Sequence, residues 1–267
     1  MPELPEVETV RRVLTRELKG RTLTSVLIGR PTFYRRPPAG RLRSLVGKSL
    51  INCRRRGKFL LLDFQGENSP LLLHLGMSGR LFFAGVGENV AKQKHCRLEL
   101  GFGKRRLRFI DPRRFGRVGC ELPAKFGPEP LEGEFTPEYL YRNLRSRKTQ
   151  VKAALLDQGF VAGIGNIYAT EALYLCGIRP QRPSGRVSRD ESRRLHRAIR
   201  RVLSRGIELG GSTLNDRAFL DPHGKDGKAQ DEHSIYGRRN AVCGHAVAAT
   251  SRPISGRTSV YCPRCQL

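Results

Sequence analysis

The spacing of apolar residues changes twice along this 267-residue chain, and each change marks a different kind of secondary structure. Val7, Val10, Leu14 and Leu18 recur at helical spacing, which predicts one helix that ends at Gly20. Short β-rich runs separated by turns follow, up to about residue 122. Because alternating strands need a partner sheet to bury their apolar faces, the segment 1–122 predicts a helix followed by a β-sandwich or barrel.

The second change follows a segment rich in Pro, Gly and acidic residues, which predicts a linker over 123–136. Thr136 and Pro137 then form an N-cap pattern, and the sequence stays helical to about residue 210. A capping box at Ser188 predicts the start of another helix. We assign 137–234 to a helical domain whose last part, 211–234, is a mobile Gly- and Asp-rich loop, and 235–267 to a small hairpin.

The chain is strongly basic. Fifty Lys and Arg against 24 Asp and Glu leave a formal charge of +26, which predicts attraction to polyanions and to nucleic acid first. The same excess also fits the solvated surface of a protein from a basic proteome, and composition does not separate an enzyme acting on DNA from a passive binder.

The absence of a long apolar run or a signal-peptide core predicts no membrane span and a cytoplasmic location. Four scattered cysteines, Cys120 among them, favour reduced thiols over a disulfide framework.

The first residues, "MPELPEVE", include groups that could act as a nucleophile and as a proton donor. If Met1 is removed, Pro2 offers a secondary amine that can attack a sugar C1′ and form an iminium. Glu3 is then placed to donate a proton, with Glu6 beside it. The alternative is a helix start with two prolines and acidic residues at its positive end.

Basic turns in the first segment suggest contacts with DNA. Lys58 follows a glycine and three arginines, so it is a candidate for a phosphate contact or a solvated turn charge. Met77, Arg113 and Phe115 lie on turns where an apolar wedge beside basic residues could enter a base stack. The alternative for Met77 and Phe115 is packing in the core.

Two features mark the second half. Gly163 and Gly165 precede Asn166 at a predicted helix start, where free N–H groups favour a phosphate, and Lys152 could add a charge. Near the end, Cys262-Pro-Arg-Cys265 is a metal knuckle or, less often, a redox pair. Cys243 and His245 could supply two further metal ligands, and Arg257 lies between the two pairs in a predicted hairpin turn.

Together these segments resemble the formamidopyrimidine-DNA glycosylase family, whose sister branch is the endonuclease VIII-like enzymes. The motifs "PELPEVE", "HLGMSG", "DPRRFG", "GIGNIYA", "YGR" and "CPRC" occur in the family's order over nearly the whole chain. The resemblance implies an α+β fold: an N-terminal helix plus β-sandwich domain, then a helix-two-turn-helix domain with a C-terminal zinc-finger β-hairpin. It also implies a monomer, associated with the nucleoid, that binds duplex DNA containing damaged bases in a cleft between the domains.

The resemblance further implies a mechanism and a set of site residues. Pro2 would attack C1′ and expel the base, and β,δ-elimination would then cut the strand, with Glu3 and Lys58 as its catalytic companions. Met77, Arg113 and Phe115 would fill the space left by the flipped base. The phosphate contacts would be His74, Lys152, Asn166, Tyr236 and Arg257. One structural Zn²⁺ would be held by Cys243, His245, Cys262 and Cys265.

The "PELPEVE" start favours the branch that excises oxidised purines such as 8-oxoguanine and formamidopyrimidines. The sequence departs from the family at Lys228-Ala229, where an aromatic pair is usual, and at Ala246, where a cysteine is usual. A degenerate finger held by packing, with His245 free, is the alternative to zinc. The alternative functions are an endonuclease VIII-like glycosylase for oxidised pyrimidines and a non-catalytic binder of damaged DNA.

Overall fold

The structure is a computed structural model that describes residues 1–85, 93–119 and 121–267. Cys120 lies outside the described residues. The chain forms two compact units: Met1–Pro123 with Leu209–Gln230, and Ala124–Glu208 with Asp231–Leu267. The sequence grouped the segment 209–230 with the helical domain, whereas the structure packs it with the first unit, because Phe219 is buried in that unit's apolar core.

Among the residues that the structure describes, the first unit forms two α-helices and eight strands. The helices are α1 (Leu4–Leu18) and α2 (Ala39–Ser44), and the strands are β1 (Ser25–Ile28), β2 (Leu50–Arg56), β3 (Phe59–Phe64), β4 (Leu71–His74), β5 (Arg80–Ala84), β6 (Cys96–Phe102), β7 (Arg105–Ile110) and β8 (Arg117–Gly119). They form two four-stranded antiparallel sheets, ordered β1-β6-β7-β5 and β2-β3-β4-β8.

The apolar core of the first unit joins α1 to both sheets. Leu14 of α1, Leu62 of β3 and Leu107 of β7 belong to one buried cluster. A four-stranded sheet with one apolar face must cover that face, and here each sheet covers the other. The predicted helix plus β-sandwich is therefore confirmed. The helix also ends as predicted, since Gly20 adopts a φ of 81° two residues after Leu18.

The second unit is helical and ends in a short hairpin. Its elements are α3 (Pro137–Arg145), α4 (Val151–Leu156), α5 (Asn166–Leu175), a 3₁₀ turn (Ser184–Arg186), α6 (Arg189–Glu208), β9 (Ala248–Ala249) and β10 (Val260–Tyr261). A further 3₁₀ turn, Ala229–Glu232, joins the two units along the chain. Helix α6 packs against α3 and α5, and α4 packs against α5.

The predicted helix starts in this unit have the expected capping bonds. The Thr136 hydroxyl accepts the Tyr139 N–H at 3.0 Å, with Pro137 as the first residue of α3. At the start of α6, Ser188 and Glu191 exchange backbone-to-side-chain bonds of 2.8 and 3.2 Å. Within the described part of the chain, every helix is too short or too polar to cross a membrane.

Candidate active site and DNA-contact residues

The start of the chain is buried. Pro2 is buried and Glu3, which precedes α1, is only 2% exposed. The Glu6 carboxylate secures this segment: Oε2 accepts the Glu3 N–H at 2.8 Å, and Oε1 accepts the Ser212 N–H at 2.7 Å. Charged carboxylates are rarely so buried unless they are hydrogen-bonded. A proline and two carboxylates thus lie together at the first turn of α1, shielded from bulk water.

Lys58 and His74 lie on neighbouring strands of the same sheet. Lys58 follows Gly57 in the β2–β3 turn and is 6% exposed, so it is not a solvated turn charge. Its neighbour Phe59 pairs with His74 of β4. Burial, together with the charges of Lys58 and Arg117, lowers the pKa of His74 from 6.5 to about 4. His74 is therefore neutral at pH 7, and a neutral imidazole carries one N–H donor.

The three predicted wedge residues lie on two adjacent turns. Met77 is half-buried on the turn after β4, whereas Arg113 and Phe115 lie on the turn after β7. Phe115 is 43% exposed, so packing in the core does not account for it. The guanidinium carbon of Arg113 lies 5.1 Å from the centre of the Phe115 ring, which is cation–π distance. The first unit thus presents an exposed apolar ring flanked by positive charge.

Asp111 joins these two turns and was not singled out from the sequence. Its fully buried carboxylate accepts the Ser78 hydroxyl through Oδ1 and the Gly116 N–H through Oδ2, each at 2.7 Å. The turns also touch through their backbones, because a Cβ on Gly76 would lie 2.6 Å from the Phe115 carbonyl carbon. The first residue of "DPRRFG" therefore holds the turns that carry the three predicted wedge residues in one arrangement.

Helix α5 organises the candidate residues of the second unit. Asn166 is its first residue, and its Nδ2 donates to the carbonyl of Thr258, the residue after Arg257, at 3.4 Å. Lys152 is fully buried, and its Nζ donates to Thr170 Oγ1 at 2.8 Å. The Thr170 hydroxyl in turn donates to the Asn166 carbonyl at 2.7 Å. Lys152, Asn166 and the Arg257 turn are thus linked at the N-terminus of one helix.

The same helix holds the segment with Tyr236, through Glu171, a residue that no sequence motif identified. Glu171 is 4% exposed and accepts three backbone N–H groups, those of Ser234 (2.7 Å), Ile235 (3.1 Å) and Tyr236 (2.7 Å). A lone acidic residue inside the apolar run "NIYATEALY" is the signal that could have revealed it, because a buried charge needs partners. Glu171 therefore fixes the backbone at Tyr236.

The four predicted metal ligands come together at the hairpin. The ligand atoms of Cys243, His245, Cys262 and Cys265 all lie within 4.8 Å of one another. The Sγ atoms of Cys243 and Cys262 are 3.7 Å apart, and His245 Nδ1 lies 3.7 and 3.4 Å from the Sγ atoms of Cys262 and Cys265. Tetrahedral zinc with ordinary bond lengths requires about 3.8 Å between sulfurs and about 3.5 Å between sulfur and nitrogen. The donor set and its spacing fit one metal ion.

The other described cysteines stand outside this cluster. Cys53, Cys96 and Cys176 are buried and form no disulfide in the described residues. Burial raises the pKa of Cys53 and of Cys176 to about 12. Since the thiolate is the reactive form, these two side chains act as small apolar groups in the core.

The whole chain is similar to known proteins of one family. The model of the formamidopyrimidine-DNA glycosylase N-terminal domain matches residues 1–118, and that of the formamidopyrimidine-DNA glycosylase H2TH domain matches residues 126–218. The formamidopyrimidine-DNA glycosylase of Carboxydothermus hydrogenoformans is 39% identical over 268 residues, which span 100% of both chains. That of Acidithiobacillus ferrooxidans is 42% identical over 276 residues, again with 100% of both chains.

Solved structures agree over the same length. The structure of MutM (Fpg) from Thermus thermophilus matches with a TM-score of 0.87 and 40% identity, covering 99% of this chain and 98% of that one. A Lactococcus lactis Fpg bound to DNA containing an abasic site matches with a TM-score of 0.88 and 32% identity, covering 99% of each chain. The fold, the order of the two matched domains and the full-length identity all agree, and the chain belongs to the formamidopyrimidine-DNA glycosylase family.

Proposed function

We propose that this protein is a DNA-repair glycosylase and abasic-site lyase that removes oxidised purines, formamidopyrimidines and 8-oxoguanine, from duplex DNA. The observation that carries the proposal is the buried group at the start of α1, where Glu6 holds the backbone of Glu3 beside Pro2. Relatives support it: a mutant of Lactococcus lactis Fpg has been solved with DNA containing Fapy-dG, at a TM-score of 0.89 and 31% identity over 99% of each chain.

In the proposed reaction Pro2 is the nucleophile once Met1 has been removed. Its nitrogen forms a bond to C1′ as the bond between C1′ and the base breaks, and the N–H proton of Pro2 passes to the departing base. Glu3 supplies the proton that lets the sugar ring oxygen leave, and the product is an iminium between Pro2 and C1′. Loss of a C2′ proton then breaks the 3′ C–O bond, and a second elimination breaks the 5′ C–O bond. Water then hydrolyses the iminium, which leaves an aldehyde on the sugar fragment and frees the Pro2 amine.

The remaining candidate residues bind the DNA. Lys58 and neutral His74 contact phosphate from the first unit, and Asn166, Tyr236 and Arg257 do so from the second. Lys152 is fully buried, so it acts through its bond to Thr170, which in turn bonds to the backbone of Asn166. Met77, Arg113 and Phe115 occupy the space left by the flipped base, since removing a base from the stack costs a few kcal/mol that new contacts must offset. The zinc ion is structural: held by the Cys243, His245, Cys262 and Cys265 quartet, it supplies the folding energy that so short a hairpin lacks.

Covalent trapping tests the central step. Borohydride added during reaction with an 8-oxoguanine duplex should reduce the iminium and leave DNA on the N-terminal peptide, located by mass mapping. Pro2→Gly should lose the adduct at this position. An adduct on a lysine, with Pro2→Gly fully active, would contradict the mechanism. A matched thymine-glycol duplex, cut more slowly than 8-oxoguanine, distinguishes this activity from a pyrimidine-specific glycosylase.

Zinc has its own test. Purified protein should contain one zinc per chain, and His245→Ala should lower that ratio and weaken DNA binding by displacing the turn with Arg257. His223→Ala is the matched control, since His223 belongs to the first unit, where it contacts Glu17, and is not a member of the quartet. Protein that is purified without zinc, or a His245→Ala variant with full zinc, would exclude a zinc-binding quartet.

A further inference from the structure

An exposed aromatic residue, Tyr34, lies beside the predicted wedge residue Phe115 and is not one of the predicted site residues. Tyr34 is 67% exposed, although the preceding Phe33 is 1% exposed and packs edge-on against Phe109 at 4.8 Å. The buried Phe33 ring anchors the segment to the core, and the next side chain faces solvent. The Tyr34 ring lies 5.7 Å from the Phe115 ring, with 36° between the ring planes. The two exposed rings form one surface, which we call the Tyr34–Phe115 surface.

Arg114 holds this surface together. Its guanidinium carbon lies 4.5 Å from the centre of the Tyr34 ring, its Nε donates to the Thr32 carbonyl, and its own carbonyl accepts the Tyr34 N–H at 3.1 Å. Arg114 adopts a φ of 63°, which is unfavourable for a residue with a side chain. Three contacts therefore fix Tyr34 relative to Phe115, with the backbone of Arg114 held in an uncommon conformation.

The chemistry of the surface indicates its ligand. Isolated aromatic rings are usually buried, and here two adjoining rings face solvent between guanidinium groups. The next two residues, Arg35 and Arg36, are exposed and line a cavity of about 480 Å³ together with Arg117. Flat rings bordered by arginines are suited to a nucleobase, whose π-face stacks on the ring while its phosphates meet the guanidinium groups.

We propose that Tyr34 is a further DNA-contact residue, on whose ring a base next to the position filled by Phe115 stacks when the lesion leaves the duplex. This inference rests on the proposed function, because a base is available for stacking only when the duplex has been opened. It makes Tyr34 part of lesion recognition and leaves the chemistry at Pro2 unchanged.

Binding measurements on matched DNAs test the proposal. Tyr34→Ala should weaken binding to a duplex with a stable abasic-site analogue roughly tenfold, the range found for removing one stacking ring. It should change affinity for undamaged duplex much less, while Tyr34→Phe, which keeps the ring, should restore lesion binding. Equal loss on both duplexes, or no loss on either, would overturn the proposal. Borohydride trapping with the parent protein separates this outcome from failure of the proposed function, because trapping does not depend on Tyr34.

A double-mutant cycle separates contact with a base from support of Phe115. If Tyr34 touches a base itself, Tyr34→Ala should still weaken lesion binding several-fold in a Phe115→Ala background. If Tyr34 acts only by holding Phe115, its effect should vanish there, and the proposal would be wrong.

Fluorescence offers a direct readout, because the chain contains no tryptophan. In Tyr34→Trp the single indole should be quenched by the lesion duplex, since stacking on a base quenches indole emission, and undamaged duplex should quench it less. Ile51→Trp, at a 49% exposed position on β2, is the control for general effects of DNA binding. Equal responses of the two indoles would contradict stacking at Tyr34.

Discussion

His74 shows how its surroundings set the chemistry of one residue. Its Nδ1 accepts the Gly76 N–H at 3.2 Å, so the proton of the neutral ring resides on Nε2. The burial and nearby positive charges that lower its pKa to about 4 keep the ring in this form at pH 7. The expected contact with phosphate is therefore a neutral hydrogen bond from Nε2, and it should persist from pH 6 to pH 8.

The same pKa shift predicts a pH-dependent stability. A histidine whose pKa is lower in the folded state binds more protons when unfolded, so its contribution is complete above pH 6.5 and is lost as pH falls towards 4. His74→Gln has no titrating imidazole at this position, so its free energy of unfolding does not include this pH-dependent loss. The difference in free energy of unfolding between the parent and His74→Gln should fall by up to about 3 kcal/mol from pH 7 to pH 4. Urea unfolding at several pH values measures it, and a constant difference would contradict the shift.

At the scale of elements, Asp111 ties together the two wedge turns. Asp111→Ala removes the acceptor of both the Ser78 hydroxyl and the Gly116 N–H, and the buried backbone N–H has no freedom to turn towards another partner. We expect a loss of about 1–3 kcal/mol in stability when a buried donor loses its acceptor. Binding to lesion duplex should weaken more than binding to single-stranded DNA, because the turns separate.

Ser78→Ala is the matched control for Asp111, since it removes one of the two bonds and keeps the other. It should cost about 1 kcal/mol by chemical denaturation. If both variants lose equal stability and lesion binding is intact in both, Asp111 does not position the wedge.

Helix α5 provides the second prediction at this scale. Oε1 of Glu171 accepts two N–H groups and Oε2 accepts one, so the NH₂ of Glu171→Gln faces a donor in either orientation. We expect a loss of about 1–3 kcal/mol in stability and weaker DNA binding through displacement of Tyr236. The isosteric control is Glu138→Gln on α3, whose ion pair with Arg142 is exposed and should contribute less than about 1 kcal/mol. Equal stability and binding in the two variants would show that Glu171 does not position Tyr236.

At the scale of the whole molecule, the charge of +26 predicts salt-sensitive binding to undamaged duplex. Each phosphate contact releases counterions and adds roughly −0.9 to the slope of log K against log salt. Arg257→Ala should therefore reduce the magnitude of the slope by about one contact, while Arg142→Ala, at an exposed position on α3, should leave it unchanged. Fluorescence anisotropy over a salt series measures both, and a flat dependence in the parent would show that the positive surface does not bind DNA.

Local sequence patterns determined a large part of this protein. The extent of α1, the caps at Thr136 and Ser188, and the division into a β-rich and a helical part follow from spacing and from bonds three or four residues apart. The cluster of Cys243, His245, Cys262 and Cys265 was also predictable, because two pairs that are each close in sequence need only one hairpin to bring them together. Such features depend on few long-range contacts, so the residues within each local segment are sufficient to specify them.

Tertiary structure alone decided which side chains support the site. The oxygens of Glu171 meet amides 63 to 65 residues later, and Asp111 meets Ser78 33 residues earlier. The placement of segment 209–230 with the first unit depends likewise on Phe219 reaching a distant core, and the exposure of Tyr34 depends on the burial of Phe33 against Phe109. The periodicity of a segment indicates which face of its own helix or strand a residue occupies. The partner of that residue depends on how the helices and strands pack, and packing brings together residues that share no local pattern.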